Sequence, residues 1–144
     1  MIGIRKPFSN SLFKQNDPKS RVLVKKFFAD RGIKLVDHPD RYDIDLITED
    51  GKFKVEIEHR KSWKLPKFKF PTVNILERKG EYFKKGETHY CILSNDFKHI
   101  GFIPADKIQK FIKPKFLREI PNKFVSKGEY AYQIPVNKFE FYPL

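Results

Sequence analysis

The chain has 144 residues, 40% of them apolar, with 15 Phe and 6 Tyr; this predicts one globular domain, able to bury a core without disulfide or metal staples. A single cysteine, Cys91, excludes an internal disulfide framework and CxxC-type zinc sites, and the absence of a long apolar run gives no signal peptide or membrane span, so the expected setting is intracellular. Thirty Lys and Arg against 18 Asp and Glu give a net charge of +12, which predicts a polyanionic partner, nucleic acid above all.

Residues 1–16 read as an irregular arm. Asp17-Pro18 reads as a helix start, with Asp17 as N-cap and Pro18 at the first helical position. The run Ser20 to Arg31 then places Val24, Phe27 and Phe28 on one face, and Gly32 ends it. A short strand, Ile33 to Val36, follows. Tyr42 to Thr48 (YDIDLIT) alternates, with Tyr42, Ile44 and Leu46 on one side and Asp43 and Asp45 on the other. Asp50-Gly51 is a tight-turn signal. Lys52 to His59 alternates again, with Phe53, Val55 and Ile57 opposed to Lys54, Glu56 and Glu58. The two runs predict a β-hairpin. Next come a linker rich in Lys, Phe and Pro over 61–71 and a helix within Thr72 to Lys85, with Gly80 its weak point. Strands are expected at His89–Ser94 and Ile100–Ile103 around an Asn95-Asp96 turn. A short helix, Asp106–Ile112, and tail strands at Tyr130–Ile134 and Lys138–Tyr142 complete the series. The order predicts an α/β or α+β fold with a small central mixed β-sheet flanked by helices, its core at about 18–112 and a C-terminal β extension at about 113–144.

Charge is unevenly placed. Eight acids lie between Asp37 and Glu58: Asp37, Asp40, Asp43, Asp45, Glu49, Asp50, Glu56 and Glu58. From Arg60 to Lys85 the sign reverses, with Arg60, Lys61, Lys64, Lys67, Lys69, Arg78, Lys79, Lys84 and Lys85 against Glu77 and Glu81. A two-residue turn at Asp50-Gly51 pairs Leu46 with Val55 and Ile44 with Ile57. The same register sets Asp45 opposite Glu56 and Asp43 opposite Glu58, so four carboxylates share one face of one hairpin. Like charges opposed across a sheet cost roughly 0.2–1 kcal/mol each, and more when buried. A cation is expected there. A hard divalent ion, Mg2+ or Mn2+, suits oxygen donors and can activate water at a phosphodiester. The alternative is a solvent-facing hairpin whose acids pair with lysines elsewhere.

A helix, an Asp on one strand, a turn, and a variant of Glu-X-Lys on the next strand resemble the PD-(D/E)XK nuclease superfamily. The resemblance covers roughly residues 18–104. It implies a restriction-endonuclease-like core, a small mixed sheet flanked by helices, and magnesium-dependent endonucleolytic cleavage of nucleic acid, with DNA the expected substrate. Carried over, the first acid is Asp43 within Tyr42-Asp43-Ile44, with Asp45 serving instead or assisting; Asp40 of Pro39-Asp40 precedes the strand. The Glu of Glu-X-Lys is Glu56, and the Lys position holds Glu58. Metal ligands would then be Asp43, Asp45, Glu56 and Glu58. Arg60, Lys61 or Lys79 would supply the missing cation, so the catalytic set reads Asp43, Glu56, Glu58, Arg60 and Lys61. In a second frame Glu58-His59-Arg60 takes the place of Glu-X-Lys. A non-catalytic nucleic-acid-binding module on the same fold is the rival reading.

Lys61, Lys64, Lys67, Lys69, Arg78 and Lys79 are candidates for gripping the backbone of the nucleic acid. Trp63, with Phe68 and Phe70 interleaved among these lysines, either stacks on bases or pins the loop to the core. His59 falls opposite the acid face and reads as a packed residue. Cys91, in Tyr90-Cys91-Ile92-Leu93, reads as a small buried hydrophobe. The tail strands offer edges for a homodimer.

Overall fold

The computed structural model describes residues 10–40, 44–64, 66–120 and 129–144, with side chains from Pro18 onward. Helix α1 (Asn10–Ala29) runs through Pro18. The helix therefore starts ahead of Asp17, which is not its N-cap. Proline's fixed φ is itself helical, and only the turn before it loses a hydrogen bond. From Ser20 onward the helix matches its pattern. Val24, Phe27 and Phe28 are buried. The helix closes at Gly32, whose N–H donates to Ala29 O while the Ile33 N–H donates to Phe28 O, the Schellman arrangement.

Among the described residues nine strands follow: β1 (Val36–Asp37), β2 (Leu46–Ile47), β3 (Lys54–His59), β4 (Thr72–Leu76), β5 (Thr88–Leu93), β6 (His99–Ile103), β7 (Leu117–Ile120), β8 (Glu129–Pro135) and β9 (Glu140–Pro143). A short helix α2 (Ala105–Gln109) lies between β6 and β7. Six strands form one sheet in the order β1-β2-β3-β5-β6-β9, and three form a second in the order β4-β8-β7. β1, β2 and β3 are an antiparallel meander, while β3 and β5 run parallel, so the large sheet is mixed. The fold is accordingly mixed α and β, dominated by strands.

The expected hairpin register is present: Leu46 pairs with Val55 and Ile47 with Lys54. Its turn is of another type. The Gly51 N–H donates to Thr48 O, and Gly51 alone takes a positive φ of 74°, so the chain turns over Thr48–Gly51 rather than at a two-residue Asp50-Gly51 loop. Asp50 Oδ1 accepts from Thr48 Oγ1 at 2.6 Å and from the Lys52 N–H at 3.0 Å. The β5–β6 turn is built the same way. Asp96 Oδ1 accepts from Ser94 Oγ at 2.8 Å and from the Lys98 N–H at 3.1 Å, and Phe97 occupies the left-handed position at φ 62°. In each turn a hydroxyl residue and the Asp two residues later close the loop.

Residues 72–76 are a strand where a helix was expected. Val73 and Ile75 alternate inward on β4, the β-branched pattern of a half-buried strand, and the strand pairs with β8 from Thr72–Pro135 to Leu76–Ala131. Only Glu77–Phe83 is helical, as a 3-10 turn. Gly80 permits its close approach: a Cβ there would meet the Tyr132 ring at 2.7 Å. The tail is more than an extension of the core, since β8 is the middle strand of the second sheet and β9 an edge of the first.

The large sheet is covered on both faces. Val55, Ile57, Cys91, Leu93 and Ile100 pack with Val24, Phe27 and Phe28 of α1. Tyr90, Ile92 and Ile103 pack with Val73, Ile75, Tyr132 and Ile134 of the second sheet, and with Trp63 and Phe83. Cys91 is buried as expected, and burial pushes its thiol far up. Among the described residues no helix is long and apolar enough to cross a membrane. Gly51→Ala forces a side chain into the left-handed region and is expected to lower stability by about 1–2 kcal/mol, measured as a reduced urea midpoint at unchanged slope.

Candidate functional site

The face of β3 that carries the acids points toward the second sheet. Glu56 lies beside Tyr90 and Glu58 beside Ile92 in the parallel β3–β5 register, and both neighbours belong to the cluster on that side. Strand alternation therefore drives two carboxylates between apolar layers. Glu56 is only 5% exposed. Glu58 lies nearer the rim, its side chain 29% exposed.

Lys79, from the 3-10 turn after β4, reaches both acids, with Nζ 3.8 Å from Glu56 Oε2 and 3.5 Å from Glu58 Oε2. Arg60, one residue beyond β3, holds Glu58 from its other side, with Nε 3.1 Å from Oε1. That contact is an ion pair whose N–H is not aligned for a hydrogen bond. The same guanidinium donates to Tyr90 Oη at 2.8 Å and to Asn74 O at 2.6 Å, and the Tyr90 hydroxyl donates to Glu58 Oε2 at 3.0 Å.

Asp45, just before β2, has a different set of partners. Its Oδ2 accepts from the Ile57 N–H at 2.8 Å, and its Oδ1 accepts from Arg21 of α1 at 3.0 Å. Arg21 also donates to Asp45 O at 2.8 Å and to Asp37 Oδ1 at 3.1 Å. Asp45 therefore fastens α1 to the hairpin as well as facing the acids. Asp43 lies outside the described residues, so the four-carboxylate face is described in three members, Asp45, Glu56 and Glu58. Asp40 is exposed, its N–H donating to His38 Nδ1.

Protonation follows from these surroundings. Burial pushes the Glu56 carboxyl well above the ordinary range, the Asp45 and Glu58 carboxylates push the same way, and Lys79 opposes them. Burial alone would raise Glu58 too, but Arg60, Lys79 and the Tyr90 hydroxyl hold it below its usual value. Burial would lower Lys79, and Glu58, Glu56 and Asp45 outweigh it, so the ammonium is held charged. Glu56 Oε1 is buried with no hydrogen-bond partner among the described residues, a costly state for an ionised carboxylate. A proton on Glu56 or a cation beside it would relieve that cost. The donor set is oxygen only, which suits a hard divalent ion. Among the described residues no three His, Cys, Asp or Glu side chains form a ready metal-binding group.

The other candidate residues are dispersed. Lys61, Lys64, Lys67 and Lys69 are exposed on the loop after β3. Arg78 is exposed and pairs with Glu129 at 3.3 Å. Trp63 is 2% exposed and lies in the core, so it pins the loop and cannot stack on bases; the hydrophobic cost of exposing an indole decides between the two sequence readings. His59 is packed as expected, stacked on Phe97 at 4.3 Å with Nε2 3.1 Å from Asn95 O. Tyr90 and Arg21 were missed by sequence reasoning. The parity of Tyr90 with Glu56 across a β3–β5 pair was the available signal for the first, and nothing in the helix pattern marks the second. No protein-family model matches the chain, and no curated protein does.

At Glu56 the folded state keeps a proton above about pH 4.5 that the unfolded chain has released, so the Glu56 contribution to stability falls as pH rises from there through the folded value. The Glu58 contribution is complete above the same pH, because its shift is downward. In EDTA, thermal melts should therefore show the native chain losing stability relative to Glu56→Gln as pH rises above about 4.5. Equal slopes would contradict a raised Glu56. Arg60→Leu removes hydrogen bonds to a charged group and is expected to cost about 2 kcal/mol, read from urea denaturation.

Proposed function

We propose that the protein is a metal-dependent nuclease of the PD-(D/E)XK type, acting on DNA. The observation that carries the reading is the buried Glu56 carboxylate, with one oxygen unpartnered among the described residues, beside Glu58 and Lys79 in a chain of net charge +12. Supporting it are a helix against a small mixed sheet, an Asp before one strand of the hairpin, and a Glu-X-Glu on the next. Glu56 and Glu58 would contribute oxygens to the divalent cation, and Asp43 and Asp45 are assigned with them from sequence. When bound, such a cation lowers the pKa of a water and neutralises charge on the phosphodiester.

The chain's own residues have separable roles in this reading. Lys79 takes the place left by Glu58 at the motif's Lys position. Its ammonium, held charged by the acids, would stabilise negative charge gathering on the attacked phosphate. Of the other two candidate cations, Arg60 is engaged with Glu58, Tyr90 and Asn74 O and acts as a positioning residue, and exposed Lys61 is left to the nucleic-acid backbone. Glu58, fixed by Arg60 and Tyr90, would orient the water.

A second reading, a non-catalytic nucleic-acid-binding module, draws on the same ion cluster: Lys79 and Arg60 already neutralise Glu58 without a metal. The deciding experiment incubates purified protein with labelled linear duplex, single-stranded and branched DNA, and with RNA, in Mg2+, Mn2+ or EDTA. Metal-dependent cleavage of DNA is expected, with Glu56→Gln and Lys79→Ala each slowing it more than about 100-fold. Salt-dependent binding with no cleavage under any metal would assign the chain to the binding module.

A further inference from the structure

We propose that residues 66–71 and strand β9 form a stacking platform for an unpaired DNA strand, with Phe70 and Phe141 as the rings that meet its bases. The proposal rests on the nucleic-acid reading above and adds the form of the strand and the surface that receives it. Two large aromatic side chains that are exposed, Phe70 at 37% and Phe141 at 39%, come from distant parts of the chain and converge on one buried ring. Phe68 lies 5.4 Å from Phe70 and 6.2 Å from Phe141, centroid to centroid. Phe68 in turn packs edge-on against Trp63 at 5.5 Å. The exposed rings are therefore backed by the core rather than carried on a loose segment.

Lysines accompany the rings. Lys61, Lys64, Lys67 and Lys69 are all exposed, and none has an ion-pair partner among the described residues. Lys69 Nζ stands 5.5 Å over the Phe70 ring. Aromatic rings interleaved with ammonium groups that no described carboxylate neutralises suit a ligand with flat apolar faces along an anionic backbone, which describes a nucleic-acid strand whose bases are out of the duplex. A duplex hides those faces and gives the rings nothing to stack on. The loop is rooted at the acid cluster, because Arg60 at its start donates to Asn74 O just past its end while contacting Glu58.

The test is fluorescence anisotropy in EDTA, where binding is read without cleavage, using oligo(dT), a DNA duplex of equal length and oligo(U) at low and physiological salt. Oligo(dT) should bind at least about 10-fold more tightly than the duplex, and Phe70→Ala should weaken oligo(dT) by about 10-fold while leaving the duplex unchanged. Phe70→Tyr should restore the affinity. Lys67→Ala should weaken both DNAs and lower the salt slope by about 1. Equal affinity for the duplex, tighter binding of oligo(U), or no effect of Phe70→Ala overturns the proposal. So does self-association in the ultracentrifuge that Phe70→Ala abolishes, which would give the patch to a second copy of the chain. Loss of cleavage with the oligo(dT) preference intact would count against the nuclease reading alone.

Discussion

A carboxylate on a strand covered on both faces has to be answered within the fold. Glu56 is such a group, and its neighbours are arranged around that demand. Lys79 lies between Glu56 and Glu58, and Arg60 and Tyr90 complete the shell around Glu58. None of these ties is strong by itself, because an ion pair taken out of water gives up hydration comparable with its attraction. Together they fix a geometry, which a purely apolar strand would not need. A sheet built only for stability would have an aliphatic residue where Glu56 stands.

The second sheet is part of the same device. It covers the acid face with Val73, Ile75, Tyr132 and Ile134, and its β4 leads straight into the turn that carries Lys79. That turn can lie against Tyr132 only because position 80 has no side chain. The apolar cover raises Glu56, and the covering element also delivers the cation that opposes the rise. Charge and burial are thus set by one layer.

Much of this was legible in the alternation of short runs. The hairpin register followed from Leu46 and Val55 both needing the core, since a one-residue slip would have put acids there. The apolar face of α1 and its end at Gly32 followed from local chemistry. What was not legible depended on distant partners. Thr72–Leu76 is a strand because β8, some sixty residues on, pairs with it; its sequence alone suits either state. Trp63 sits among lysines, and only the packing of Phe68, Phe141 and β-sheet residues around it shows that it belongs to the core. Lys79 was one of several basic residues able to face the acids, and the tight turn on Gly80 selected it.

The pairing of β4 with β8 also sets an order of assembly. During synthesis α1, the hairpin and β5 emerge early and can collect their α1-facing core with the acids already in place. The layer that buries Glu56 and seats Lys79 needs residues 129–135, which emerge only after α1, the hairpin and β5. A nascent chain therefore exposes its carboxylates to water, where they ionise at ordinary pH, and acquires the buried, mutually perturbed cluster only when the tail folds back. Whatever chemistry that cluster performs is withheld until β8 has paired with β4.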